Sequence, residues 1–337
     1  MPTTVKHNHS IDIIKGWGII AVILGHIFLG SAEESMPRYL IYAFHMPLFF
    51  FISGFLLNIE KIGGMPPRQF IKKYAKRMLI WWFIAWCFYT VCVNLMISGH
   101  VIGEEESTAH FIVRNLVYPW GHLWFVPGLF ATIAIVYCLK RFFRLNNSAT
   151  IAALLFISLT QMAMSYSGVL PNTSIIRYHN LLFFTLGIIA NVLFTSVLPP
   201  RMAKTIILLY FILLIATRYL GISDNASMCN FASLIVFMIF GISPLMQIDS
   251  LKSSAMMEWL GHNSLQIYLW HEFPVITLKT YFSDNPLIYY SANFAFLSII
   301  LLFAWRISLS ASKIQPILKP SVCEITNTDL QSNCSSD

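Results

Sequence analysis

Charged residues are scarce in this chain of 337 residues, at 11%. A soluble domain carries about 25%, so the composition excludes an ordinary soluble globular protein. Disorder is excluded too, because it needs low hydrophobicity and high charge, whereas 57% of these residues are hydrophobic and mean hydropathy is +0.66. Paired cysteines are missing: there are six Cys and no C-x-x-C. Neither a disulfide framework nor a zinc site follows from such spacing. Cys87, Cys92, Cys138 and Cys229 lie in apolar runs, where Cys behaves as a small hydrophobe. Long loops, internal repeats and H-E-x-x-H spacings are also missing, so no soluble catalytic module is expected and no metal is called for.

Apolar blocks of about 20 residues, the length that crosses a bilayer as a helix, fill the chain. The hydropathy pattern predicts an all-α, polytopic transmembrane bundle of about ten helices. The spans fall near 11–30, 38–57, 77–97, 122–140, 149–168, 179–197, 203–220, 229–247, 259–281 and 287–309. One transmembrane domain, 1–309, is expected, followed by a polar and disordered tail, 310–337. The first apolar run holds Asp12 and Lys15 and continues to about Gly30, which reads as a retained helix and not a signal peptide. The net charge of +7 says little about nucleic acid, because in a membrane protein its distribution among loops is what counts. With the N-terminus in the cytoplasm, all of the 22 Lys and Arg except Arg38, Arg114, Arg177, Arg218 and Lys279 fall on cytoplasmic loops and ends. Acidic residues, Glu33, Glu34 and Glu104 to Glu106 among them, fall opposite. Both termini are therefore expected inside.

Ionisable side chains within a bilayer cost about 2.5–3.5 kcal/mol at a helix centre and mark function. The first span contains Lys15 and His26, eleven residues apart. That spacing leaves them roughly 20° from one face and about 16 Å apart along the axis. Asp12 can pair with Lys15 or cap the helix. The plainer reading is a snorkelling Lys and a packed His. The second span opens on Phe44-His45-Met46-Pro47 and runs through Phe49 to Gly54. Its phenylalanines read as packing or lipid-facing residues, and Ser53-Gly54 as a close helix contact. The fourth opens on His122-Leu123-Trp124-Phe125, where Trp124 also reads as an interfacial belt residue. The ninth, Gly261-His262-Asn263-Ser264-Leu265-Gln266-Ile267-Tyr268-Leu269-Trp270-His271-Glu272, is too polar to face lipid all round. Its Ser264 and His271 share a face. On this topology His26, His45, His122 and His271 lie between mid-membrane and the outer surface, which predicts a polar chamber open outward. Lys72, Lys73, Lys76 and Arg77 lie inside, as a topology signal on anionic lipid or as a dock for a polyanionic cytosolic ligand.

These segments, in this order, resemble the acyltransferase-3 family of integral membrane acyltransferases, and within it the fucose 4-O-acetylase-like branch. Ile11-Asp12-Ile13-Ile14-Lys15-Gly16 with Leu24-Gly25-His26 resembles its first helix, and the His45, His122 and His271 segments follow. The resemblance implies a bacterial inner (cytoplasmic) membrane enzyme. It would transfer acetyl from acetyl-CoA, as co-substrate, to a hydroxyl of an envelope glycan or lipid-linked sugar. It maps the family's basic-x10-His motif onto Lys15 and His26 as the catalytic pair, with Lys where Arg is common. Lys73, Lys76 and Arg77 stand near the family's R-x-x-R-like position and are the implied CoA contacts. His45, His122, Trp124, Ser264, Tyr268 and His271 form the expected substrate-binding set, and His122, Ser264, Tyr268 and His271 are the candidates for a donor to the oxyanion. His26 serves either as general base or as a nucleophile that carries the acetyl group. Two other classes compete: a proton-coupled transporter of a sugar or acidic metabolite, for which paired broken halves are not evident, and a catalytically inert binding member of an envelope-synthesis complex.

Overall fold

Prolines accompany three of the helix breaks that shape this chain. A proline inside a helix has no N–H to donate, and its ring clashes with the carbonyl four residues earlier. The computed structural model describes residues 9–93, 95–96, 107–119, 121–169, 178–193, 198–220, 224–248 and 255–318. Among the described residues every regular element is helical and there is no strand. Among the described residues seven helices are long and apolar enough to cross a membrane: His9–Ile27, Pro67–Val93, Gly121–Arg141, Asn147–Ser165, Pro200–Tyr219, Met228–Met246 and Pro286–Ile307. They coincide with seven of the ten predicted spans. The predicted span 179–197 appears as a shorter apolar helix over His179–Val192.

The two remaining spans are interrupted. The second is divided at Phe44 into α2 (Met36–Tyr42) and α3 (His45–Phe55), behind α1 (His9–Ile27). Pro47 stands four residues after Ala43, whose carbonyl instead accepts the Tyr210 hydroxyl at 3.5 Å. After α4 (Lys76–Phe88), the helix α5 (Phe125–Arg141) opens with a tight turn at Gly121–Trp124. Pro127 stands four residues after Leu123, and that carbonyl accepts Trp82 Nε1 at 2.8 Å. Beyond α6 (Tyr178–Leu193), the ninth span divides into α7 (Ala255–His262), α8 (Ser264–Trp270) and α9 (Glu272–Phe282). Pro274 stands four residues after Trp270, where α8 ends. Each of these breaks carries a histidine of the predicted chamber.

Small residues bring the site-bearing helices together. A Cβ on Gly54 of α3 would overlap the Phe184 carbonyl of α6, and one on Gly187 would overlap the Phe51 carbonyl. Gly54 is thus the close contact expected from the sequence. Gly16 and Gly261 do the same for α1 and α7, against the carbonyls of Met257 and Asp12. Phe50 and Phe51 are fully buried, so they are packing residues and not lipid-facing ones. Apolar side chains such as Trp81, Phe83, Ile84, Leu208, Leu209 and Ile212 point outward, as a helix surface in hydrocarbon does. The last helix, Pro286–Leu318, runs past Ser310, where the sequence predicts the start of the tail. Residues 319–337 lie outside the described residues.

Candidate active site

The end of α1, the α2–α3 break, the turn before α5, the start of α6 and the α8–α9 break surround a cavity of about 580 Å³. His26, in the last turn of α1, lines it together with Glu272, the first residue of α9. The two side chains meet: Glu272 Oε1 lies 3.2 Å from His26 Nδ1. The other carboxylate oxygen pairs with His122 Nδ1. His122 Nε2 in turn lies 3.3 Å from the Leu269 carbonyl, so both of its nitrogens face oxygens. The Tyr268 hydroxyl donates to the His122 carbonyl. His271 Nδ1 donates to the Tyr268 carbonyl at 2.8 Å, and its Nε2 is buried without a hydrogen-bond partner. Ring centroids of His26 and His271 are 5.0 Å apart, those of His122 and His271 5.2 Å, and those of His26 and His122 6.2 Å. Three imidazoles thus gather at one place, and two of them, His26 and His122, meet one carboxylate.

A further wall comes from α2 and α3. His45 Nδ1 donates to the Ile41 carbonyl at 2.8 Å, and the ring lines the cavity. Arg38 holds the end of α1 by donating to the Phe28 carbonyl at 3.2 Å and the Gly30 carbonyl at 2.6 Å. It also donates to the Tyr42 hydroxyl at 2.9 Å. Gly121 adopts φ +38°, and a Cβ there would lie 3.1 Å from Glu272 Oε2. The turn therefore passes against the carboxylate, which would have to shift to admit a side chain.

The predicted site residues divide into three groups. His26, His45, His122, Trp124 and Tyr268 line the cavity. Ser264 and His271 are buried but are not part of its lining. Lys15, Lys73, Lys76 and Arg77 lie elsewhere. Lys15 Nζ pairs with Asp12 Oδ1 at 3.0 Å, about 10 Å along α1 from Val22, which lines the cavity. Lys73, Lys76 and Arg77 are exposed on the wider turn Ile71–Ala75 and the start of α4, with Lys73 Nζ 5.0 Å from the Tyr74 ring centroid. Of the four expected oxyanion donors, His122, Tyr268 and His271 have their N–H or O–H groups directed at other partners. Among the described residues no group of three or more His, Cys, Asp or Glu is arranged to hold a metal ion.

The model of a known family, an acyltransferase domain, matches residues 8–311, a range that contains every residue of this cavity. The chain belongs to the acyltransferase-3 family. Two curated relatives are similar in part. Nodulation protein NolL of Mesorhizobium japonicum is 26% identical over 184 residues, covering 50% of this chain and 46% of the relative. Nodulation protein NolL of Sinorhizobium fredii is 28% identical over 173 residues, covering 49% and 45%. The chain thus spans about half the length of the curated relatives it matches. No solved structure matches.

Within this acyltransferase-3 domain, the motif residues are not the whole site. Glu272, Arg38, Tyr42 and Asn180 line the cavity as well, and sequence reasoning gives none of them a role. Two carried a signal. Glu272 is an acid in the polar ninth span, and Arg38 is a cation on the side where the predicted loops are otherwise acidic.

Proposed function

We propose that the chain is a membrane O-acetyltransferase of the bacterial inner membrane, with both termini cytoplasmic. It moves an acetyl group from cytosolic acetyl-CoA to a hydroxyl of an envelope glycan or lipid-linked sugar. The observation that carries this reading is the His26–Glu272 pair on the wall of a cavity. A carboxylate accepts only, so the imidazole presents Nδ1–H to it and keeps the lone pair on Nε2. That is the tautomer a general base needs, held by the same logic as in a Ser-His-Asp triad.

In the reaction, His26 Nε2 takes the proton of the acceptor hydroxyl as its oxygen attacks the thioester carbonyl. A new C–O bond forms. The C–S bond then breaks, and the CoA sulfur leaves with the proton from Nε2. A positioned base of this kind contributes roughly 10²–10⁴ in rate. Glu272 orients His26, and His122 orients Glu272. Lys15, lower on α1, together with Lys73, Lys76 and Arg77, supplies positive charge for the phosphates of CoA. His45, Trp124 and Tyr268 face the acceptor.

His26→Ala tests the reading. In inverted membrane vesicles with radiolabelled acetyl-CoA, the native chain transfers label to endogenous glycan or lipid and releases CoA. The variant inserts normally and does neither. Native levels of product from His26→Ala would refute the assignment. A transporter would neither transfer label nor release CoA in either form. Mass spectrometry of the surface polysaccharide with and without the gene identifies the acceptor.

A further inference from the structure

Asn180 is 2% exposed and lines the cavity at the start of α6. Its amide nitrogen and its amide oxygen are both buried without a hydrogen-bond partner. A buried polar group left unpaired is costly and rare in a native structure. An amide with both ends unpaired on a cavity wall is a site waiting for a ligand that both accepts and donates. From this we infer that Asn180 is a specificity-determining residue that reads two neighbouring hydroxyls of a sugar acceptor. The inference rests on the acyltransferase reading for the word acceptor, though not for the site.

The chemistry selects among the possible ligands. An oxyanion would take only an N–H and leave Oδ1 unpaired. A pair of adjacent ring hydroxyls satisfies both ends: one accepts from Nδ2–H and the next donates to Oδ1. The walls beside Asn180 fit the rest of a pyranose. Trp124 from the α5 turn, half-buried, offers apolar ring surface to its C–H face. The pantetheine arm of CoA also carries amides, but it arrives from the cytoplasm. On the proposed topology Asn180 stands at the outer end of its span, the acceptor side.

The test uses the full chain in lipid nanodiscs and saturation-transfer NMR. The probes are methyl glycosides of glucose, galactose, mannose, rhamnose, fucose and N-acetylglucosamine. The native chain is expected to bind at least one of them. Asn180→Leu weakens that glycoside at least tenfold while acetyl-CoA affinity stays within twofold. A deoxy analogue lacking one of the two hydroxyls binds the native chain at least fivefold more weakly and Asn180→Leu no more weakly than the parent glycoside. Replacing an unpaired amide by an apolar group also raises the melting temperature, a gain in stability coupled to a loss of binding that a structural asparagine would not show. Asn180→Asp keeps the shape, removes both N–H donors and is expected to weaken the glycoside too, so it answers the question if the leucine variant misfolds. Native glycoside affinity in both variants overturns the inference. So does loss of acetyl-CoA in place of the glycoside, or a native chain that binds none of the six. A chain that binds a glycoside through Asn180 but never acetylates it leaves this inference standing and removes the acyltransferase reading.

Discussion

Glu272 holds His26 from one oxygen, Oε1 to Nδ1 at 3.2 Å, and pairs with His122 through the other. One carboxylate thereby fixes two rings that arrive on different helices. Glu272→Gln keeps the volume, replaces one acceptor oxygen by a donor and removes the charge. The His26 tautomer is then no longer enforced. Acetyl transfer is expected to fall by about 10²-fold or more, in kcat and with little change in KM for acetyl-CoA, as expected when a base loses its orienting partner. Initial rates of CoA release in vesicles measure it. Unchanged kcat would show that Glu272 does not orient the base.

Periodicity and the predicted topology were enough to expect four histidines in one chamber, because His26, His45 and His122 lie near one end of their predicted spans and His271 near the middle of its own. His26, His122 and His271 converge and His45 lines the same cavity. Glu272 carried a signal as an acid within a span, but its role was not readable. It follows His271 at about 100° around the helix, and nothing in its own span pairs with it. Only the fold brings the end of α1 to it. The broken second and ninth spans escaped a hydropathy window for another reason. Such a window averages Pro47 and Pro274 into apolar surroundings, whereas the backbone responds to them four residues earlier. Asn180 is hidden by the apolar run that follows it, since a single amide carries no pattern. The contact of Gly54 was legible from residue size alone, but its partner, the Phe184 carbonyl, was not.

Gly121 separates the strain of a left-handed backbone from its effect on the site. Its φ is +38°, and a Cβ would press on Glu272 Oε2. Gly121→Ala is expected to cost about 1–2 kcal/mol in backbone strain and to lower transfer about tenfold by displacing the carboxylate. Gly168 has φ +73°, and a Cβ there would meet nothing within 4 Å, so Gly168→Ala lowers the melting temperature and leaves transfer unchanged. Equal activity in both variants would show that the turn does not set the carboxylate.

Lys15 can be either an anchor for the donor or only a counter-ion for Asp12, which is buried and lies 3.0 Å from it. The two roles respond differently to a second substitution. Lys15→Met is expected to raise KM for acetyl-CoA about tenfold, or about 1.4 kcal/mol. If Lys15 only neutralised Asp12, Asp12→Asn in the same chain would restore the native value. The anchor role predicts that the double variant stays impaired. Steady-state kinetics of CoA release decide between them.

The approach of α3 and α6 is the mechanical support of the cavity, because α3 carries His45 and α6 carries Asn180. At Gly54 the obstacle to a side chain is the Phe184 carbonyl, and at Gly187 it is the Phe51 carbonyl. Both are backbone, which cannot rotate away as a side chain can, so the helices themselves must part. Gly54→Val is therefore expected to destabilise the chain by at least about 2 kcal/mol, toward the upper part of the range for overpacked cores. Ser53→Ala is the contrast. Ser53 Oγ donates to the Phe49 carbonyl within its own helix at 2.7 Å, so its loss changes stability by only about 0.5 kcal/mol or less. Thermal melts followed by size-exclusion chromatography in detergent should rank Gly54→Val far below Ser53→Ala. The reverse order would mean that the two helices do not meet at Gly54.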